Sequence, residues 1–209
     1  MTSDTGRIEA FSDGIFSIAA TLLVLDLKAP PSTLPFWQGM AAQWPGYASL
    51  LLSFLFIGIM WLNHHRLFSH MRKSSDLLLV TNLLLLLGVV WIPYPTSLMA
   101  QAVLTGRLKD VAILYNGSYL VIAFLFNALF GVCVTGGLLD RNVSGVRNIA
   151  RSYALGVLMY VICFAVTWWN VPVSLAINLG MAIFFLVSPD QLARNCTTAQ
   201  HQTMAAPIM

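Results

Sequence analysis

The stretch SYALGVLMYVICFAVTWWNVPVSLAINLGMAIFFLVSP, residues 152–189, contains no charged side chain. A helix needs about 20 mainly apolar residues to cross the hydrocarbon core of a bilayer. This run is nearly twice that length. Trp168-Trp169-Asn170-Val171-Pro172 divides it. Paired Trp suits a membrane interface, and Pro suits the first turn of a new helix. The run therefore reads as a tight helical hairpin, with spans at 150–169 and 172–189. Working outward, a span at 111–138 lies between Asp110 and Asp140, and one at 77–103 lies between Asp76 and Arg107. A span at 44–64 includes the apolar run Leu50 to Met60, and a first span at 8–27 carries charges. The expected fold is all-α: an integral membrane protein of six helices forming one domain, 1–192. Residues 193–209 are expected to be a short, poorly ordered polar tail.

Composition points the same way. The 209 residues are 58% hydrophobic and 9% charged, with a mean hydropathy of +0.77. Soluble domains carry roughly a quarter charged residues. So few charges cannot cover a soluble protein this apolar, which excludes an ordinary soluble enzyme, a disordered chain and a secreted disulfide scaffold. A net charge of +3 is too small to argue for nucleic acid; the bilayer is the expected partner. Cys133, Cys163 and Cys196 imply no disulfide framework. Arg7, Glu9 and Asp13 stand where a signal peptide would build its apolar core.

With six spans both termini share a side. That side holds Arg7, Arg66, Arg72, Lys73, Arg141, Arg147, Arg151 and Arg194; the other holds Lys28, Arg107 and Lys109. The bias places both termini in the cytoplasm. The two halves of the chain share no motif, so an inverted-repeat transporter gains no support.

The first span reads Arg7-Ile-Glu-Ala-Phe11-Ser12-Asp13-Gly-Ile-Phe-Ser17-Ile18-Ala-Ala-Thr21-Leu22-Leu-Val-Leu25-Asp26. Its two aspartates stand roughly 20 Å apart on a helix axis. That is less than the hydrocarbon thickness, so at least one lies at or inside the membrane edge and needs a partner or water. Asp13, Ser17 and Thr21 follow at i+4 along one side. Ile18 and Leu25 are seven apart, flanked by Thr21 and Leu22. Repeated around a symmetry axis, this mixed face makes a pore with acidic rings at its ends and apolar constrictions inside, as in a cation channel. The structural alternative is that the hydroxyls bond within the helix or pack at helix interfaces.

The second span ends in Trp61-Leu-Asn63-His64-His65-Arg66-Leu-Phe68-Ser-His70, at the same membrane depth as Arg7 and Asp13. Asp13 can accept from a His ring or the Trp61 indole, and Arg7 can pair with an acid. Such a network would fix the helix ends; an interfacial Trp with snorkelling basic residues is the plainer alternative. His64, His65 and His70 are too few for a membrane metal site. Neither a phosphate-binding Gly loop nor a Gly-x-Ser-x-Gly elbow occurs, so no enzyme is expected. No Thr-Val-Gly-Tyr-Gly filter is present. Asn82, Asn116 and Asn127 are positioned to bond between helices, Pro93 and Pro95 to kink or end the third span, and Gly136-Gly137 to loosen or end the fourth.

The pattern Arg7-x-x-x-Phe11-Ser12-Asp13 opening the first span resembles the signature of the transmembrane protein 175 family, potassium channels of endolysosomes and their prokaryotic relatives. The run Thr21 to Pro30 and the run Trp61 to Phe68 are similar to its prokaryotic branch. The resemblance implies a homotetramer of six-helix subunits in a bacterial inner membrane, conducting potassium without a cofactor. The first helix would line the pore, with Ile18, Leu22 and Leu25 as a side-chain constriction and Ser17 and Thr21 as polar layers. Arg7, Phe11, Ser12 and Asp13 would form a network with Trp61 and His65, His64 being the other candidate for that last position. Asp26 would ring the outer mouth. The alternatives from other classes are a non-conducting assembly protein and a proton-coupled transporter.

Overall fold

The computed structural model describes residues 5–30, 32–140 and 146–187. Helix α1, Thr5–Leu22, tightens into a 3-10 turn at Leu23–Asp26. A short α2, Phe36–Ala42, precedes the long α3, Trp44–Ser69. Helices α4, Asp76–Trp91, and α5, Pro93–Thr105, share the third crossing. Then come α6, Leu108–Thr135, α7, Val146–Thr167, and α8, Val171–Val187. Five crossings have full length and apolarity, and α8 supplies a shorter apolar segment, Val171–Ile183. At 1.5 Å per residue, the 17 residues of α8 reach about 25 Å. The six expected helical segments are present, and the polar tail lies outside the described residues.

Local chemistry sets the breaks. Ser75 caps α4, its side chain accepting from the Leu78 N–H at 3.2 Å, as expected at an N-terminus. Pro93 has no N–H to give Val89, so the third crossing divides at Ile92. Asn170 closes the α7–α8 hairpin: its Oδ1 accepts from Val173 N–H at 3.1 Å, while its own N–H donates back to Val166 at 2.9 Å. At the end of α6, Gly137 has φ 62°. That left-handed value turns the chain and suits glycine. The helix therefore stops at Thr135, three residues before the expected end of that span.

The chain after α6 is clipped to the chain after α3. Arg72 N–H donates to Leu138 O at 3.1 Å, Asp140 N–H donates to His70 O at 2.9 Å, and the Arg72 guanidinium pairs with Asp140 at 2.5 Å.

Helix α6 runs through the middle of the bundle, against α4, α5 and α7. Its Tyr115, Tyr119 and Leu129 are fully buried with Phe56 of α3 and Leu85 and Val89 of α4. Gly88 allows α4 close to α6: a Cβ there would stand 2.9 Å from Ile122 Cγ1. Buried polar groups join helices in hydrogen-bonded sets. Ser53 lies 2.8 Å from Thr96 and 3.0 Å from the Tyr115 hydroxyl. Asn178 donates to Asn116 at 2.6 Å, and Asn116 donates to Thr167 at 2.7 Å, tying α6, α7 and α8. Large apolar side chains also cover the outside, among them Leu83, Leu87, Phe124, Leu155 and Leu158. In water this would be costly, whereas lipid tails accept it. Helix α1 lies at the side of the bundle, against α3 and α4.

Candidate functional site

Helix α1 has two unlike faces. Phe16 and Ala19 are 2% and 1% exposed, whereas Ile18 and Leu25 are 58% and 74% exposed. The outward positions Arg7, Phe11, Gly14, Ile18, Thr21 and Leu25 are all exposed. They recur at intervals of four and three, which makes a single straight stripe, the spacing of a helix seam. Leu22 is exposed beside it. Among the described residues the stripe stays largely uncovered: Phe11, Ile18 and Leu25 are 55%, 58% and 74% exposed. Thr21 turns its hydroxyl hydrogen to Ile18 O at 2.9 Å, so its oxygen lone pairs remain free to face outward.

The opposite face is held by two polar sets at one end. The inner set is buried. Ser12 donates to Ile8 O at 2.8 Å and accepts from Asn82 Nδ2 at 3.0 Å. Asn82 Oδ1 lies 2.9 Å from His64 Nε2. An amide oxygen only accepts, so His64 carries its proton on Nε2. Its Nδ1 is buried with no hydrogen-bond partner, and the ring stacks on Phe68 at 4.2 Å and tilts against Phe16 at 5.4 Å. Three helices, α1, α3 and α4, meet in this chain of bonds.

The outer set lies nearer the surface. The Trp61 indole donates to Asp13 Oδ1 at 2.8 Å and stacks on His65 with centroids 6.0 Å apart. His65 Nδ1 reaches Glu9 Oε1 at 2.8 Å. Asp13 and Ser17 border a groove between α1 and α3, with Phe54, Gly58 and Trp61 on the far wall. Asp26 is half-buried at the end of the 3-10 turn.

The structure thus brings together Ser12, Asp13, Trp61 and His65, and adds Glu9, His64 and Asn82. Arg7 and Phe11 stand apart on the exposed stripe, and among the described residues no ion pair reaches Arg7. The adjacent histidines divide the work. His64 turns inward to Asn82 and His65 outward to Glu9, because neighbouring residues on a helix point about 100° apart. Asn82 carried a sequence signal, as a lone amide in a leucine-rich span, but its partners did not.

A family profile described as Endosomal/lysosomal potassium channel TMEM175 matches residues 7–93, the part that holds both polar sets. A potassium channel of Streptomyces collinus is 38% identical over 189 residues, covering 88% of this chain and 92% of its own length. A potassium channel of Chamaesiphon minutus is 38% identical, covering 88% and 94%. The human endosomal/lysosomal proton channel TMEM175 is 35% identical over 97 residues, only 19% of its length. The crystal structure of a lysosomal potassium-selective channel TMEM175 homolog from Chamaesiphon minutus superposes with a TM-score of 0.82 at 36% identity, over 88% of this chain and 97% of that one. With the matched signature on its first helix, and near-full-length likeness to these relatives in sequence and fold, the chain belongs to the TMEM175 family, a family of ion channels and not of enzymes.

Proposed function

We propose that the chain is the subunit of a homotetrameric potassium-permeable channel whose pore is lined by α1. The observation that carries this reading is the exposed stripe Phe11, Gly14, Ile18, Thr21 and Leu25, opposite a face anchored through Ser12, Asp13 and Asn82. Four copies facing one axis would cover the stripe. The names of the Streptomyces and Chamaesiphon relatives support potassium as the permeant ion.

Ile18, Leu22 and Leu25 are the constriction in this reading. Branched apolar side chains offer an ion no substitute for its water, so a narrow ring of them closes by dewetting. Ser17 and Thr21 supply the polar layers; the lone pairs of Thr21 suit a cation. A small rotation of α1 widens the ring and rehydrates it. Ser12, Asp13, Trp61 and His65 serve to hold the helix, while Arg7 and Phe11 lie on the outward stripe. Asp26 forms an acidic ring at the outer mouth. No cofactor takes part. Residues 1–192 form the channel domain and 193–209 the tail, with both termini in the cytoplasm and the assembly in a bacterial inner membrane.

A second reading is proton conduction, favoured by the name of the human relative. One assay separates the two. Proteoliposomes loaded with potassium are expected to lose it at a rate set by the potassium gradient, with valinomycin as the full-release control. Flux of protons alone would replace potassium as the permeant ion. No flux of either would leave the assembly role.

A further inference from the structure

On the side of the bundle away from α1, helices α3, α6 and α7 leave a crevice of about 260 Å³, closed at the back by Phe185 of α8. One water occupies only about 10–15 Å³ by this measure, so the space is far more than a packing defect. Its walls are mainly rings and aliphatic groups, including Tyr119, Phe126, Tyr153 and Tyr160, with Asn63, Asn127 and Ser152 among them. Among the described residues no acid lines it, and Arg66 is the one charged residue in its lining. Arg66 is half-buried as a residue, and among the described residues no carboxylate pairs with it.

Depth gives the crevice a direction. Arg66 lies in the last turn of α3 and Ser152 in the second turn of α7. Both mark the end of the bundle that also carries Arg72 and Lys73. Ile59 and Tyr160 line the crevice deeper in the same helices. The distance from Arg66 to Ile59 along α3 is about 10 Å, and from Ser152 to Tyr160 along α7 about 12 Å. The slot therefore runs from one membrane surface towards the midplane, with its cation at the surface end and its apolar walls below. A half-buried arginine without a carboxylate, above a mainly apolar slot about 10–12 Å deep, is complementary to an anionic headgroup above the upper part of an acyl chain.

We infer that this crevice is a binding site for an anionic phospholipid of the cytoplasmic leaflet, with the phosphate on Arg66 and one acyl chain between α3, α6 and α7. The site is independent of the pore reading, because α1 contributes nothing to it; only the choice of leaflet rests on the proposed orientation.

The test is lipid retention by the purified full chain, read by native mass spectrometry after exchange into phosphatidylglycerol or phosphatidylcholine micelles. The parent is expected to hold phosphatidylglycerol about tenfold more tightly, the factor that corresponds to ~1.4 kcal/mol. R66Q is expected to bind both lipids equally, and R66K to restore part of the preference. K73Q, an exposed cation outside the crevice, is expected to behave as the parent. Gly156 lines the crevice, and a Cβ there would meet only Phe185 Cζ, at 3.8 Å. G156L is therefore expected to fill the slot and lose both lipids, with an unchanged thermal midpoint in lipid-free detergent. Equal retention of the two lipids by the parent would overturn the inference. So would an R66Q variant that keeps the preference, or displacement of the lipid by millimolar inorganic phosphate, which would make the site one for a free anion.

Discussion

Asn82 offers an amide hydrogen to Ser12 on α1 and its oxygen to His64 on α3. Removing that side chain leaves the buried His64 Nε2–H unpaired, at a cost of about 1–3 kcal/mol, while Ser12 keeps its bond to Ile8 O. N82A is expected to lower the thermal midpoint of the purified channel by several degrees, measured by tryptophan fluorescence during heating. The same truncation at Asn63, which is not part of the set, is expected to leave the midpoint within about a degree. Ile18 is the contrasting case. Its side chain is 58% exposed, so I18N should change subunit stability by less than about 0.5 kcal/mol. In the pore reading it keeps the constriction wet, and potassium leak should rise while preference over sodium falls. A stable I18N assembly with parental flux and preference would remove Ile18 from the ion path. Thr21 exposes a hydroxyl oxygen, so T21V should lower potassium flux without altering assembly, as judged by gel filtration.

Helix α1 is held along one edge at one end, by bonds from Ser12 and Asp13 to α3 and α4, while its outward stripe stays largely uncovered among the described residues. The Asp13–Trp61 bond is the more exposed of these. Trp61 is 39% exposed, and screening reduces what a charged acceptor contributes there. A double-mutant cycle on D13A and W61F is expected to give a coupling of about 1 kcal/mol, within the range for contacting residues. Additive losses would mean that the bond adds nothing and that the inner set with Asn82 anchors α1 alone. The 3-10 turn Leu23–Asp26 rises about 2.0 Å per residue instead of 1.5 Å. It therefore carries Leu25 and Asp26 further along the axis than a continued α-helix would.

Six helical segments and the loop charges together set how the chain crosses the bilayer. Lys73 follows α3, on the side with most of the basic residues, and Trp169 sits in the α7–α8 hairpin on the other side, 83% exposed. In a C196S background, where Cys133 and Cys163 are buried, K73C is expected to react with an impermeant maleimide only after the cells are opened. W169C is expected to react from outside. The reverse pattern would invert the topology and place Asp26 on the cytoplasmic side. The Arg72–Asp140 clip and the backbone bonds beside it join the C-terminal ends of α3 and α6, so labelling at Lys73 reports a folded segment.

Span positions, the division at Pro93, the hairpin at Asn170-Val171-Pro172 and the end of α6 near Gly136-Gly137 were all legible in the chain. Each rests on local chemistry. Hydropathy selects the segments, proline withholds an N–H, and glycine accepts the left-handed turn at Gly137. The signature from Arg7 to Asp13 was legible too, because its residue types and their place at the start of a span are sequence facts. The partners were not. Adjacent His64 and His65 are equivalent as sequence, and only the arrival of Asn82 from α4 and Glu9 from α1 decides which turns inward. Cys163 gave no sign that it would lie among Asn116, Ser174 and Asn178. The crevice beside Arg66 needs α3, α6 and α7 to diverge, which no run of residues announces. Hydrogen-bond partners and cavities depend on the distance between helices far apart in the chain, and packing of the whole bundle sets that distance.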